Sequence, residues 1–128
     1  MIFVIQEHFA THHHFDLRLE IDGVLKSWAI PKKIPTEKND RKLAVEVEDH
    51  PIEYADFEGE IPEGYYGAGK VIIWDKGDYE LIEKDKNKIE FELKGKKIKG
   101  KYVLLNFKKE KGRNLWLIFK KNENFKKT

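Results

Sequence analysis

The 128-residue sequence predicts an all-β protein, a small single-domain closed or partly open β-barrel with long functional loops. Three observations point there. Apolar and polar residues alternate with period two in several short runs. Turn signals recur about every 8–12 residues, and sustained helix-period segments are hard to find.

Taken in order, residues 2–6 (IFVIQ) are a short β-rich run. Residues 14–21 (HFDLRLEI) alternate strictly, Asp22-Gly23 is a hairpin turn signal, and VLKSWAI follows at once. Residues 42–48 (KLAVEVE) alternate again. KVIIWD and DYELIE, on either side of Lys76-Gly77, read as a second hairpin. NKIEFELK, Gly95, KIKGKYVLLNF, KEKGR and NLWLIFKK continue the pattern. The stretches 31–41 and 51–69 read as loops, long for so small a domain, and loops of that size often carry function. A single domain, 1–128, is expected, with its core at about residues 3–120 and a fraying tail, NENFKKT.

Composition narrows the class. Apolar residues make up 40% of the chain, enough for one modest core. The absence of cysteine removes disulfide frameworks and thiolate metal sites. No apolar run approaches the ~20 residues that span a membrane. MIFVIQEHF lacks a basic flank and is too short for a signal peptide. A soluble, intracellular protein with no membrane partner is the expectation. The net charge of +2 conceals a split: residues 1–83 hold 9 Lys+Arg against 18 Asp+Glu, and residues 84–128 hold 16 against 5. The lysine-rich half reads as a solvated face or as a basic surface that meets a polyanion such as nucleic acid.

Four of the five histidines fall within residues 8–14. If 14–21 is a strand, Phe15, Leu17, Leu19 and Ile21 face one way, and His14, Asp16, Arg18 and Glu20 the other. Residues i and i+2 lie about 6.6 Å apart along a strand. An imidazole and a carboxylate at that spacing can converge on one metal ion. His8, six residues before His14, can complete a His/His/Asp set, leaving positions open for substrate as catalytic sites require. Arg18, one step further on, offers a planar fork to phosphate oxygens. His12 and His13 read as structural or exposed. His50 and Tyr54 carry no weight from spacing alone.

Residues 64–70 satisfy G-x4-G-K, the outline of a phosphate-cradling loop. Val71 stands where a Ser or Thr would hold Mg²⁺, and a strand follows rather than a helix, so an NTPase is rejected. The glycines read as permitting a tight loop at the rim of the site.

FVIQEHFATHHHFDLRLEIDGVLKSWAIPK, LAVEVEDHPIEYADFEGEIPEGYYGAGKVIIWDKGDYE and NLWLIFKK together closely resemble the 3′-phosphoesterase domain of bacterial DNA ligase D and its free-standing archaeal relatives, from about residue 3 to 120. The resemblance implies a small β-barrel enzyme that binds Mn²⁺, with Co²⁺ or Zn²⁺ as other candidates, and heals DNA 3′ ends in non-homologous end joining. It would remove a 3′-phosphate, or a 3′-terminal ribonucleotide at a primer–template end, to leave a 3′-OH. It places the metal ligands on His8, His14 and Asp16 and the phosphate-contacting and catalytic roles on Arg18, His50 and Tyr54. Lys32 and Glu48 lie in matching motifs as supporting residues. A cytoplasmic prokaryotic monomer is implied, with ligase and polymerase acting in trans. Bacterial relatives carry an N-terminal arm used in the ribonucleotide step, and this chain begins two residues before the shared motif. Phosphate removal is therefore expected to outpace ribonucleotide resection. Two alternatives stand beside this reading. A catalytically silent DNA-end-binding module would need the basic surface but no metal. A cupin-like metal enzyme of small molecules would need the histidines but no DNA surface.

Overall fold

The computed structural model describes residues 1–38 and 40–121. Its strands are β1 (Ile2–Phe9), β2 (His14–Ile21), β3 (Val24–Ile30), β4 (Arg41–His50), β5 (Gly59–Ile61), β6 (Gly69–Lys84), β7 (Lys88–Lys94), β8 (Lys99–Glu110) and β9 (Arg113–Lys120). They pair antiparallel in the order β1-β2-β3-β4-β9-β8-β7-β6, and β6 returns to β1, which closes an eight-stranded barrel. β5 adds to the free edge of β6. The residues of the Asp22-Gly23 turn have φ of 54° and 82°, and those of Lys111-Gly112 have 52° and 80°. Both are left-handed pairs of the kind that matches strand twist in two-residue hairpins.

Period-two alternation builds the interior. Phe3 and Ile5 of β1, Leu17 and Leu19 of β2, and Trp28 and Ile30 of β3 are fully buried in the main core cluster. Each such side chain contributes about 1.5–3 kcal/mol of burial. The segment between β3 and β4 joins them: Ile34 enters the same core, and the Tyr102 hydroxyl donates to the Pro35 carbonyl at 2.8 Å. Val4, between Phe3 and Ile5, faces outward, yet it too is fully buried. It packs with Leu25, Ala55, Ile52, Tyr54 and Ile73 in a second, smaller cluster on the outer wall.

That outer cluster corrects the reading of residues 51–69 as plain loop. Ile52–Asp56 forms a 3-10 turn behind Pro51, whose φ is −69°, and Gly59–Ile61 is β5. Both elements are too short to show a period, and docking on the wall decides their conformation. The expected hairpin at Lys76-Gly77 is also corrected. β6 runs straight through it, paired with β1 on one edge and with β7 from Asp78 onward on the other. Gly77 serves close approach instead, since a Cβ there would meet the Lys94 carbonyl oxygen at 2.6 Å and Phe3 Cε1 at 3.3 Å. The chain reverses at residues 85–87, where Asp85 Oδ1 accepts from the amides of Asn87 (2.8 Å) and Lys88 (3.0 Å). β1 and β4 outrun their expected spans of 2–6 and 42–48, and β4 takes in His50 as its last residue. The NENFKKT tail lies outside the described residues. Among the described residues no helix is long and apolar enough to cross a membrane.

Candidate active site

The β1–β2 register sets His8 opposite His14, Gln6 opposite Asp16 and Val4 opposite Arg18. All six point to the outer wall, because Phe3, Ile5, Leu17 and Leu19 between them point inward. A face that alternation alone would assign to solvent is covered here by the 3-10 turn and the loop before β6. Asp16 is 7% exposed and Arg18 4%.

His8, His14 and Asp16 present ligand atoms within 4.8 Å of one another, the one such group of His, Asp or Glu among the described residues. The hydrogen bonds of the two rings fix how they present themselves. His8 Nε2 lies 2.8 Å from the Gly67 carbonyl, and His14 Nδ1 lies 2.8 Å from the His12 carbonyl. A carbonyl only accepts, so these nitrogens carry the protons of the neutral rings. The bare nitrogens, His8 Nδ1 and His14 Nε2, face Asp16 Oδ2 at 3.9 and 3.3 Å. Lone pairs turned toward a carboxylate call for a cation between them. A proton partly meets the need: the hydrogen bond with Asp16 raises the pKa of His14 against the opposing effect of burial. Three convergent N/O donors with backbone carbonyls orienting the imidazoles fit a divalent transition metal better still. Gly67 makes its part available through a φ of 78°, a conformation in which a side chain would be strained.

Beside this cluster lies a buried cation. Arg18 Nε donates to Gln6 Oε1 at 2.6 Å, one terminal nitrogen is 3.3 Å from His50 Nδ1, and the other is 3.5 Å from Asp16 Oδ2. The guanidinium carbon stands 4.9 Å from the centre of the Tyr54 ring. Burial pushes the Arg18 pKa down, and the Asp16 charge holds it up. Arg18 nevertheless stays charged, and one loose ionic contact leaves that charge incompletely compensated, which makes the position receptive to an anion. Gln6 fixes the fork and, through its amide nitrogen, also holds the carbonyls of Tyr54 (2.9 Å) and Phe57 (3.1 Å).

His50 packs on Tyr54 with ring centres 4.6 Å apart, and Tyr54 stacks on Phe57 at 5.0 Å. Burial, then the Arg18 charge, lowers the His50 pKa, so the imidazole is neutral at pH 7 with no anion bound. Burial raises the pKa of Tyr54, which keeps its hydroxyl a hydrogen-bond donor.

All six expected residues, His8, His14, Asp16, Arg18, His50 and Tyr54, line one cavity of about 310 Å³, and Glu48 lines it too. Lys32 is exposed in the segment after β3 and is not among the lining residues. His12 and His13 are exposed, and His13 pairs with Glu7 at 2.8 Å and stacks on Phe9. Sequence reasoning missed Gln6, Tyr66 and Arg113, while Gly67 belongs to the glycine run read as a tight loop at the rim of the site. Gln6 left a signal as well, the first polar residue of β1, two positions before His8.

Residues 6–106 match the model of the family described as the DNA ligase D 3′-phosphoesterase domain. The chain is 42% identical to the multifunctional non-homologous end joining protein LigD of Pseudomonas aeruginosa over 123 residues, which are 92% of this chain and 15% of that protein. It is 53% identical to the multifunctional non-homologous end joining DNA repair protein LigD of Mycobacterium tuberculosis over 107 residues, 80% of this chain and 14% of that one. With LigD of Mycolicibacterium smegmatis the identity is 47% over 126 residues, 90% of this chain and 16% of that one. The chain thus spans about one seventh of the length of the curated relatives it matches.

Proposed function

The chain belongs to the DNA ligase D 3′-phosphoesterase domain family, and from that premise we propose that it is a metal-dependent phosphoesterase that heals DNA 3′ ends by removing a 3′-phosphate to leave a 3′-OH. One observation supports this above the rest. Two imidazoles spend their protons on backbone carbonyls and turn bare nitrogens to Asp16, immediately beside the buried, undercompensated Arg18. A cation site and an anion site share one cavity, as a phosphoryl group bound to metal requires.

A divalent ion held by His8, His14 and Asp16, with Mn²⁺ our choice, would supply Lewis acidity toward the phosphoryl group. The rest falls to the chain. Arg18, its plane fixed by Gln6, turns its two terminal nitrogens to phosphate oxygens and stabilises charge that builds in the transition state. Tyr54 donates a further hydrogen bond. His50 is neutral while the site holds no anion, and a phosphate dianion at Arg18 favours its protonated form. The imidazolium then gives its proton to the 3′-oxygen as the P–O bond breaks and water oxygen joins phosphorus. The products are a 3′-OH and inorganic phosphate. Glu48, an exposed carboxylate on the same cavity, favours a second reading in which a 3′-terminal ribonucleotide is also accepted, its 2′-OH donating to that carboxylate.

The test is phosphate release from a 3′-phosphorylated primer–template, with added Mn²⁺ and with chelator. His14→Ala and Asp16→Ala should each lower turnover about a thousandfold or more while circular dichroism stays unchanged. Near-normal turnover in either variant would remove the ligand assignment. DNA binding without phosphate release would favour an end-binding module, and turnover of a small phosphate ester but not of DNA would favour a small-molecule enzyme.

A further inference from the structure

Arginine is scarce in this chain. Of 25 basic residues three are arginines: Arg18, Arg41 and Arg113. Arg18 lies in the site, and Arg41 stands over the Phe119 ring at 4.8 Å. Arg113 is exposed and has no hydrogen bond or ion pair through its side chain among the described residues.

Its position is built. Arg113 opens β9, directly after the Lys111-Gly112 turn. The hairpin end is anchored to β4 by Glu46, whose Oε1 accepts from Asn114 Nδ2 at 3.0 Å and Trp116 Nε1 at 2.9 Å. Lys26 also reaches Glu46, at 3.4 Å. Glu46, which lines one cavity with Arg113, is therefore engaged elsewhere, and the Arg113 fork stays available. Arg113 lines the active-site cavity and also two adjoining ones of about 300 and 610 Å³. It stands where all three meet. Tyr66 lines the first two with it, 81% exposed, one residue before the Gly67 carbonyl that orients His8.

We infer that Arg113 and Tyr66 form a subsite for the nucleotide that carries the scissile phosphate: Arg113 binds the phosphodiester on its 5′ side, and Tyr66 stacks on its base. The inference rests on the proposed function. A DNA 3′ end with its terminal phosphate at Arg18 must send the rest of the strand out through the mouth of the cavity. A free guanidinium fork suits a phosphodiester in two-point contact. An exposed aromatic ring suits any base, because every base has a π-face. Recognition is then of an end joined to a strand, with little preference for its sequence.

The experiment compares wild type, Arg113→Gln, Arg113→Lys, Tyr66→Ala and Tyr66→Phe. Binding of a 3′-phosphorylated oligonucleotide is followed by fluorescence anisotropy against salt, turnover is measured on the same DNA, and thymidine 3′-monophosphate serves as competitor. The monophosphate has the terminal phosphate, sugar and base but lacks the phosphodiester. Arg113→Gln should weaken oligonucleotide binding about tenfold and flatten the log–log salt slope by roughly 0.7–0.9, one phosphate contact. Its kcat should stay within about twofold, with thymidine 3′-monophosphate inhibition unchanged. Arg113→Lys should fall between. Tyr66→Ala should weaken both ligands, and Tyr66→Phe should restore them. An unchanged salt slope in Arg113→Gln, or equal losses on both ligands, would overturn the subsite. Anisotropy does not depend on turnover, so a wild type that binds DNA without releasing phosphate would count against the proposed function, and the salt slope would still decide Arg113.

Discussion

At the scale of the residue, the site depends on which nitrogen carries which proton and how each charge is held. Arg18→Lys tests the fork, since lysine keeps the charge but cannot take Gln6, His50 and two phosphate oxygens in one plane. Turnover should fall about 10²–10³-fold, with metal binding retained in a calorimetric titration; rates near wild type would reduce Arg18 to a source of charge. His50 offers a second test. Groups around it come from three elements: Arg18 and Asp16 on β2, Glu48 on β4 and Tyr54 on the 3-10 turn. Burial and Arg18 depress its pKa, so in metal-free protein its ring protons should titrate below the ordinary imidazole value of about 6.5. Arg18→Gln should move that midpoint upward, and an unmoved midpoint in an NMR titration would show that Arg18 does not govern His50. His14, Asp16 and Arg18 were legible in sequence because they sit on one strand with period two. Gln6 was less so, since its worth comes from partners 12 to 51 positions away.

At the scale of the element, the hairpin marked by Asp22-Gly23 was readable because the turn is local: the dipeptide itself takes the left-handed conformation, as Lys111-Gly112 also does. Lys76-Gly77 carries a similar signal and means something else, because β1 and β7 hold β6 extended across it. Asp75, next door, shows how much the turn between β7 and β8 depends on one carboxylate. It is 6% exposed and accepts from the amides of Lys76 (2.9 Å), Lys96 (3.1 Å), Lys97 (2.8 Å) and Ile98 (2.9 Å). Burial works against its ionisation, but these four donors prevail and hold its pKa below the usual carboxylate value. A depressed folded pKa stabilises the fold above the unfolded value of about 4 and ceases to do so as pH falls through the folded one. Asp75→Asn, which turns an amide donor toward other donors, should cost about 2–3 kcal/mol at pH 7. The gap from wild type should narrow below about pH 4 in urea denaturation. A gap constant with pH would mean that the charge plays no part.

At the scale of the whole molecule, the charge split along the chain becomes a split around the barrel. Residues 84–121 build β7, β8 and β9, neighbours in the closed sheet, and β9 pairs with β4, which carries Glu48 and His50. The basic wall therefore begins beside the site rather than behind it. DNA affinity should fall with salt, by roughly 0.7–0.9 in log–log slope per phosphate contacted, for ends with and without 3′-phosphate alike. Salt-independent binding would dismiss the basic wall as an interface. Adding Mn²⁺ should raise the unfolding temperature, because an ion that binds only the folded state stabilises it by about 2.7 kcal/mol at a hundredfold excess over Kd. Barrel closure was legible only as a class, since no residue pattern announces that the first strand will pair with the sixth. The alternation along β2 has one more consequence, for how such a chain can change over generations. Loss or gain of a single residue within β2 would exchange its faces, sending Asp16 and Arg18 toward the oily interior and Leu17 and Leu19 into the cavity. Folding and chemistry would fail in the same event. The strand's length is thus locked by two independent demands, and viable insertions and deletions should collect in the turns rather than in β2.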